Sequence, residues 1–345
     1  MSSPRNCCSF NFLQLPTLVQ LEVVGQLEFY DLLSLSLVSK KTKRIVKTCK
    51  FQIPCFKWFL GELHLNYHIW LLDEKRNSLL ALDTEMTDKI MADLEKLKLQ
   101  GTLVPMARCS KDKKWVVGLT ENIGNASQVL PLFEEVTKYI LEVFKVQNFE
   151  LEVFDSLDTH LEFVAKYTNT FRFLYSNVQD PNDLKVFFED LQIQKLHLDS
   201  TITGDYKYVG PLKMDHLSVD DGHWISIEAL LNMECRVLKL ERDSLTNIEL
   251  NKFVKHWLSG ELNTLESFLC WSKTSKDQDQ ILEGIEHFPW NPKNRPETFK
   301  FFELENGRDI RRKDGLLATV SVKICEFHSE VRLFVWKEKY LLDVN

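Results

Sequence analysis

Two groups of side chains in this sequence have the residue types and spacing that metal or acid–base chemistry requires. His64 and His68 are four residues apart, so on a helix both imidazoles would share one face. A metal site there is not predicted, because structural sites need four ligands and the neighbouring residues are packing residues. The second group is favoured as a strand-to-helix turn, where Asp and Gly are expected; it contains Asp215, His216, Asp220, Asp221 and His223.

Catalytic motifs are missing from the sequence. We find no GxSxG, P-loop, HExxH or GxGxxG pattern, and the eight cysteines include no CxxC pair. The sequence therefore predicts a non-catalytic protein with no cofactor and no metal. Scattered thiols are typical of a reducing compartment, and neither a signal peptide nor a bilayer-length apolar run is found. We expect a cytoplasmic or nuclear protein that does not bind membranes.

The charge is distributed unevenly along the chain. Residues 1–50 contain seven Lys and Arg against three Asp and Glu, a net charge of +4. Because the whole chain has a net charge of −7, the other 295 residues carry −11. The basic residues concentrate between Lys40 and Lys50. Such a run can bind nucleic acid, but the acidic remainder would repel a phosphate backbone. The solvated face of a helix, with Ile45 and Val46 buried, is the favoured interpretation, and no nucleic-acid partner is predicted.

The apolar residues near the N-terminus predict three short helices. The first opens at Leu15-Pro16, the second covers residues 31–41, and the basic third ends near Lys47. Three short helices cannot bury this much Leu and Val among themselves. The excess predicts an exposed apolar patch, which usually marks a protein–protein site.

Past residue 145, strand-like segments recur with apolar anchors at alternate positions. From first anchor to first anchor the steps are 22, 23, 21, 21, 31 and 33 residues, a period typical of leucine-rich repeats. Strands would then line the concave side of a curved stack. The alternative is a set of unrelated strands in an α+β domain. The anchor pairs are Leu151/Val153, Phe173/Tyr175, Leu196/Leu198, Leu217/Val219, Leu238/Leu240, Leu269/Trp271 and Phe302/Leu304.

Helices are predicted between several of these strands. Asp180-Pro181 offers an N-cap and a first-turn proline, and Thr246 to Glu249 has the pattern of a capping box, with Gly260 as the C-terminal cap. Another helix is predicted to start at Pro131. In the less legible region before it, residues 86–94 suggest a helix and residues 115–119 a strand. Alternation over 318–324 and 331–335 predicts an antiparallel hairpin that closes the stack.

Two segments resemble parts of one known family. Leu15-Pro16-Thr17-Leu18-Val19 and residues 32–39 resemble an F-box, the module that docks on the Skp-type adaptor of cullin–RING ubiquitin ligases. Residues 309–315, 318–320 and 335–336 resemble the closing signature of the F-box-associated domain in the large nematode F-box families. Residues 250–258 with Leu265-Glu266 are similar to another stretch of that domain.

This resemblance implies a mixed α/β chain in three parts. Residues 10–50 would form the three-helix F-box, residues 51–130 a connecting region, and residues 131–345 a leucine-rich-repeat-like F-box-associated domain capped by a hairpin. The implied function is the substrate-recognition subunit of an SCF-type (Skp–cullin–F-box) E3 ubiquitin ligase. Its predicted partners are a Skp-type adaptor, through it a cullin–RING ligase, and an unidentified protein target.

The resemblance and the strand pattern together give the candidate site residues. An interior glycine weakens a helix by about 1 kcal/mol, so Gly25 leaves open a non-ligase scaffold with a degenerate F-box. The residues beside the strand anchors would point outward and bind a target, or would simply be solvated. The predicted adaptor contacts are Leu15, Pro16, Leu18, Val19, Leu32, Leu33, Leu35 and Val38, and the predicted target contacts are Arg172, Lys195, His197, His216, Ser218, Lys239, Glu241 and Glu303.

Overall fold

A computed structural model describes residues 11–61, 66–85, 95–99, 102–109, 114–118, 126–154, 157–291, 304 and 306–337. The chain divides into two compact units, Met1–Phe163 and Val164–Asn345. The chain is a mixed α/β protein, with helices at its N-terminus and extensive β-sheet structure after them. The three-part division expected from the sequence stays a prediction. Met86, Ile90 and Leu94, expected on a helix, lie outside the described residues.

The first unit begins with three short helices after a 3₁₀ turn at Phe12–Gln14. Ser39 ends the second helix and caps the third, where its hydroxyl accepts the backbone N–H of Thr42 at 3.1 Å in a capping box. This reciprocal cap lets the chain reverse within one residue. The helices are α1 (Thr17–Gly25), α2 (Phe29–Val38) and α3 (Lys40–Thr48).

After these helices, the described part of the first unit contains a seven-stranded stretch of mixed sheet. Its strand order is β7-β1-β2-β3-β6-β5-β4, in which β7 with β1 and β3 with β6 are parallel pairs and the other pairs are antiparallel. The predicted strand at residues 115–119 is found as β6. The strands are β1 (Gln52–Gly61), β2 (Asn66–Leu72), β3 (Ser78–Glu85), β4 (Glu95–Leu99), β5 (Thr102–Cys109), β6 (Lys114–Gly118) and β7 (Lys145–Val153).

Helix α4 (Ala126–Val143) packs on this sheet. Trp58 of β1 donates its indole N–H to the hydroxyl of Thr137 at 3.3 Å, and Tyr67 of β2 lies edge-on to Phe133. The predicted start at Pro131 is wrong. The helix begins five residues earlier and carries the proline inside it, because the added turn buries Val129 and Leu130 and offsets the hydrogen bond that proline removes.

Helix α5 (Leu157–Ala165) contains Phe163 and Val164, where the first unit ends and the second begins. The second unit is built on the parallel strands that follow this helix. Its strand order is β8-β9-β10-β11-β12-β16-β15-β14-β13; β8 to β12 are parallel and the remaining pairs are antiparallel. The strands are β8 (Thr170–Val178), β9 (Gln192–Ser200), β10 (His216–Val219), β11 (Val237–Glu241), β12 (Ser267–Ser272), β13 (Phe288–Pro289), β14 (Arg308–Arg311), β15 (Leu317–Ile324) and β16 (Ser329–Trp336).

Helices connect β8 to β9, β10 to β11 and β11 to β12, a fourth helix follows β12, and two of the four have the caps that the sequence predicts. The carboxylate of Asp180 accepts the backbone N–H of Asn182 ahead of Pro181, Thr246 and Glu249 form a capping box, and Gly260 ends its helix at φ 94°. Only glycine adopts that backbone conformation without strain. The helices are α6 (Pro181–Lys185), which continues as a π-helical turn at Val186–Asp190, α7 (Ile227–Leu231), α8 (Asn247–Ser259) and α9 (Gln278–Ile281).

The register of the parallel strands aligns one buried row across the second unit. This row differs from the predicted anchors in two strands. In β8 and β12 the buried residues are Leu174 and Phe268, so Phe173, Tyr175, Leu269 and Trp271 lie on the opposite, half-exposed face. Both faces of these two strands are apolar, so sequence alternation alone could not choose between them. The aligned buried row is Leu174, Leu196, Leu217, Leu238, Phe268 and Leu333.

Candidate functional site

Helix α1 exposes its apolar side chains to solvent. Leu18 is 81% exposed, and Val19 and Val23 are exposed as well. The inward side of the helix carries Val24 and the polar Gln20. Exposed leucine and valine gain about 1.5–3 kcal/mol each when they are buried, so this surface favours a protein partner.

The side chain of Gln20 explains why this face of α1 points inward. Its buried side-chain amide donates to the carbonyl oxygen of Leu15 at 2.8 Å and to that of Phe12 at 3.3 Å. A buried amide without partners would be costly, and these two bonds fix the 3₁₀ turn against the first helix. The buried polar residue thereby leaves the aliphatic residues of α1 outside.

The structure divides the predicted adaptor contacts into an outer and an inner group. Pro16, Leu18, Val19 and Val38 are exposed, and Leu15 and Leu35 are half-buried. In contrast, Leu32 is 0% exposed and Leu33 is buried beside it in α2. Both leucines are buried in the first unit and are not part of its surface. Val23, which the sequence analysis omitted, is exposed on α1 as Leu18 and Val19 are. The adaptor contacts themselves stay predictions.

Gly25 is the last residue of α1 rather than an interior one. At a helix end the entropic penalty of glycine is small, and a side chain added there would meet nothing within 4 Å. The argument that Gly25 weakens the first helix, which left a degenerate F-box open, therefore carries less weight.

The second unit presents a half-exposed sheet face formed by the residues that alternate with the buried row. Its middle line runs from Tyr175 through His197, Ser218 and Lys239 to Leu269. We call these residues and their neighbours on the same side the open face. Five of the predicted target contacts lie in adjacent register on the open face: Lys195, His197, His216, Ser218 and Lys239. A sixth, Glu241, is the last residue of β11.

Two predicted target contacts do not belong to that arrangement. On β8 the residues aligned with Lys195 and His197 are Phe173 and Tyr175. Arg172 comes one residue before Phe173 and is therefore not aligned with either of them. Glu303 lies outside the described residues.

Charged pairs and one tryptophan organise the open face. His197 Nε2 is 3.0 Å from the carboxylate of Asp220, and Lys239 Nζ is 2.8 Å from that of Glu241. The Lys239 ammonium also stands 4.5 Å from the centre of the Trp271 ring, whose indole N–H donates to Glu330 at 2.9 Å. Trp271 is thus held in one orientation with part of its ring exposed, as aromatic anchors at interfaces are. The sequence analysis missed it because it counted Trp271 as a buried anchor.

His216 lies in register with Lys195 on the neighbouring strand. Partial burial of the ring, and then the cations Lys195 and Arg236, lower the pKa of His216 below its ordinary value. The imidazole is therefore neutral at physiological pH and can both donate and accept a hydrogen bond.

The residues considered for metal binding are engaged elsewhere. His68 lies on β2, a strand rather than a helix, and stacks on Trp70 with 5.7 Å between ring centres, while His64 lies outside the described residues. His223 Nδ1 is 2.7 Å from the carboxylate of Asp221, which also faces Arg242. Among the described residues no group of three or more His, Cys, Asp or Glu could hold a metal ion. Within the same part of the chain, no helix is long and apolar enough to cross a bilayer.

Two segments of the chain match known protein families. Residues 12–53, which contain α1 to α3, match the F-box domain. Residues 205–269, which contain β10, β11 and α8, match the F-box associated domain. The predicted resemblance is confirmed, since one segment of the chain matches each of the two domains.

Known proteins of Caenorhabditis elegans resemble the chain over most of its length. The uncharacterized protein F59B2.8 is 20% identical over 99% of this chain and 79% of its own length, and F54H12.5, also uncharacterized, is 25% identical over 86% and 84%. A segment of the E3 ubiquitin-protein ligase hecw-1 is 29% identical over 22% of this chain, but only 6% of that protein is covered. No solved structure matches the chain.

The F-box domain implies an adaptor role in ubiquitin-ligase complexes. Domains of this kind typically bind Skp-type adaptors in cullin–RING ligases.

Proposed function

We propose that this protein is the substrate-recognition subunit of an SCF-type E3 ubiquitin ligase. Its F-box would bind the Skp-type adaptor, and its second unit would bind a protein target. The observation that carries the proposal is the exposed apolar surface of α1 together with Val38, which is 75% exposed at the end of α2. An apolar surface of this kind within a matched F-box is best explained by adaptor docking.

The proposed mechanism needs no catalytic residue in this chain. A receptor that holds its target near a charged conjugating enzyme turns a bimolecular encounter into a nearly unimolecular one. The protein would act as a non-catalytic subunit, in the cytoplasm or the nucleus where cullin–RING ligases could reach it.

The open face is the proposed target-binding surface. We interpret β8 to β12 and their connecting helices as a leucine-rich-repeat-like stack that the antiparallel strands β15 and β16 close. Support comes from the parallel register and from the mixture of aromatic and charged residues around Trp271, which suits protein recognition. The alternative is a scaffold with a degenerate F-box; the position of Gly25 at the end of α1 gives that alternative less support.

Co-purification with a Skp-type adaptor tests the adaptor half of the proposal. The full chain and the adaptor are co-expressed and separated by size-exclusion chromatography. Stoichiometric co-elution is expected for the wild type, and Leu18→Asp/Val38→Asp should weaken binding about a hundredfold or more because two apolar contacts become buried charges. Leu32 would be a poor choice here, since a charge at a fully buried position would unfold the protein.

A matched control separates binding from general surface effects. Ile248 and Val209 are apolar residues of the second unit that are 82% and 62% exposed, so Ile248→Asp/Val209→Asp changes the same chemistry elsewhere and should leave co-elution intact. Circular dichroism checks that all variants fold. The proposal is refuted if the folded wild type does not bind, or if the Leu18/Val38 variant binds as well as the control.

A further inference from the structure

One edge of the open face carries carboxylates on three neighbouring strands and ends at an indole ring. Asp220 follows β10, and its backbone N–H donates to the carbonyl oxygen of Leu198 at 3.0 Å, which places it beside Asp199 of β9. Glu241 of β11 is aligned with Trp271 of β12. We call Asp199, Asp220 and Glu241 the acidic row. Because neighbouring strands lie about 4.8 Å apart, the row and the indole together cover about 14 Å, the length of a short extended peptide segment.

The acidic row is short of cations. Asp199 has no ion-pair partner among the described residues. The carboxylate of Asp220 lies 3.0 Å from the ring of His197, which carries a charge only when it is protonated. Glu241 faces an ammonium, that of Lys239 at 2.8 Å. Like charges on adjacent strands destabilise a sheet, so cations brought by a partner would relieve a repulsion that the folded chain leaves in place.

Two further cations on this side of the second unit are not directed at the acidic row. Arg242 donates to the backbone carbonyl of Asp220, and its Nη1 is 3.8 Å from the carboxylate of Asp221. Lys195 stands four residues before Asp199 on β9, about 13 Å along the strand. Exposed charges that far apart are largely screened at physiological salt, where the Debye length is about 8 Å.

The indole end of the row adjoins exposed aromatic surface. Trp271 is half-exposed, and its indole N–H donates to Glu330 at 2.9 Å. The ring lies 6.1 Å from that of His328, in the turn that joins β15 to β16. Cys325 closes this turn by donating its N–H to the carbonyl oxygen of His328 at 2.8 Å, and Phe327, in the same turn, is 80% exposed. A fixed indole beside an exposed phenyl ring suits a bulky apolar side chain of a partner.

We propose that the open face binds an extended segment of the target protein in which Lys or Arg side chains stand close to a bulky apolar residue. The cations lie along the acidic row, and the apolar residue packs against Trp271 and Phe327. The inference rests on the proposed function and adds to it the chemical class of the target segment. Charge complementarity is what selects this occupant.

Two other occupants fit the same surface less well. A nucleic acid would bring its phosphates against the acidic row, and that contact is repulsive. A metal ion would leave Trp271 and Phe327 unused, and among the described residues no group of three or more His, Cys, Asp or Glu could hold one. An acidic peptide segment meets the same repulsion as a phosphate chain.

Selection from a library of random dodecapeptides displayed on phage tests the inference. The full chain is immobilised, and the bound peptides are sequenced. We expect enrichment of Lys and Arg over Asp and Glu, together with enrichment of Phe, Trp, Leu and Ile, relative to the unselected library. Acidic or uncharged peptides among the selected sequences, or no selected peptide at all, would overturn the inference.

A charge variant tests whether the acidic row recognises the cations. A dye-labelled peptide from the selection is titrated with Asp199→Asn/Glu241→Gln and followed by fluorescence anisotropy. The control, Glu261→Gln/Glu283→Gln, makes the same change in net charge at exposed positions of the second unit. We expect the charge variant to bind about fivefold more weakly than the control at low salt, because it loses two exposed ion pairs, and the difference should shrink at high salt. Equal binding by the two variants would contradict the proposal.

An apolar variant tests the other end of the surface. Phe327→Asp should weaken binding of the same peptide about tenfold, because the partner's apolar side chain would meet a charge. Ile248→Asp, at a residue of α8 that is equally exposed, should have no effect. Circular dichroism checks that both variants fold. A peptide that binds Phe327→Asp as tightly as Ile248→Asp would show that the turn takes no part in the site.

The result is kept apart from that of the proposed function by testing the same preparation for co-elution with the adaptor. A chain that co-elutes with the adaptor but selects no basic and apolar peptide refutes this inference alone. A chain that selects such peptides but does not co-elute refutes the ligase function, while the chemistry of the open face stands.

Discussion

Partial burial, followed by the nearby cations Lys195 and Arg236, lowers the pKa of the His216 imidazole. Burial, Lys195 and Arg236 all disfavour its protonated form, so its pKa is lower in the folded protein than in the unfolded chain. The stability that this histidine contributes is present above the unfolded-state pKa and is lost as the pH falls to the lower folded-state pKa, because the unfolded chain takes up the proton first.

The titration of His216 can be measured directly by NMR. Lys195→Met should raise the pKa of His216, because it removes a cation that faces the ring. Lys252→Met, on an exposed part of α8, should leave the titration unchanged. An identical His216 titration in the two variants would show that Lys195 does not act on the ring.

Lys276 and Asp243 form a buried ionic pair in the second unit. The Lys276 side chain is 1% exposed and lies 3.7 Å from the carboxylate of Asp243, and it also donates to the carbonyl oxygen of Leu245 and the hydroxyl of Thr274. Burial raises the pKa of Asp243, although the nearby ammonium opposes the shift. The lysine thus joins the loops that follow β11 and β12.

Removing this lysine should cost more stability than any exposed substitution. Lys276→Met is expected to lower the free energy of unfolding by about 3–5 kcal/mol, because it leaves a buried carboxylate unpaired. Urea unfolding measures the change, with the exposed Lys273→Met as a control. Adding Asp243→Asn should recover part of the loss. A midpoint shift no larger than that of the control would mean that the pair carries little energy.

At the scale of the element, α8 shows how much a helix depends on its ends. The Thr246 hydroxyl accepts the backbone N–H of Glu249 at 3.2 Å, and the Glu249 carboxylate accepts the backbone N–H of Thr246 at 2.7 Å. Thr246→Ala should reduce the free energy of unfolding by about 1 kcal/mol, measured by urea unfolding. Ser275→Ala, at an exposed position, should have almost no effect. Equal stability of the two variants would argue that the cap is dispensable.

The sequence predicts those elements whose signals are local. The ends of α8 follow from Thr246, Glu249 and Gly260, and the start of α6 from Asp180-Pro181, because caps depend on residues a few positions apart. The buried face of α4 is local in the same sense, since Phe133, Val136 and Ile140 are spaced by three and four residues and are all buried.

Signals that depend on distant residues could not be read from the sequence. Which face of β8 is buried depends on Leu196 and Leu217, the residues aligned with Leu174, and not on β8 itself, whose residues are apolar on both sides. In the same way, Leu32 and Leu18 are both leucines on short helices, yet only the folded structure separates an interior residue from an exposed one. Prediction of the candidate contacts was therefore partial.

For the whole molecule, an exposed apolar surface means that the free protein is less stable than its complex. A partner that binds only the folded state stabilises it by about 2.7 kcal/mol at a concentration 100 times the Kd. The thermal unfolding midpoint of the full chain should therefore rise as Skp-type adaptor is added, as measured by scanning fluorimetry.

The matched variants make this rise specific. Leu18→Asp/Val38→Asp should show at most a small rise at the same adaptor concentration, because its binding is about a hundredfold weaker, whereas Ile248→Asp/Val209→Asp should behave as wild type does. An unchanged midpoint for wild type under conditions of full co-elution would indicate that the adaptor also binds the unfolded chain.

The inward position of Gln20 has a consequence for how this protein can change over generations. Because the hydrogen bonds of the Gln20 amide hold α1 with Leu18, Val19 and Val23 outward, a substitution such as Leu18→Ser would leave a folded protein in which the proposed adaptor contact is weakened. Substitutions at Leu32 would instead remove the protein altogether. A gene copy could therefore lose adaptor binding while its folded product is still made. Reversal of that single substitution at the helix surface would restore binding.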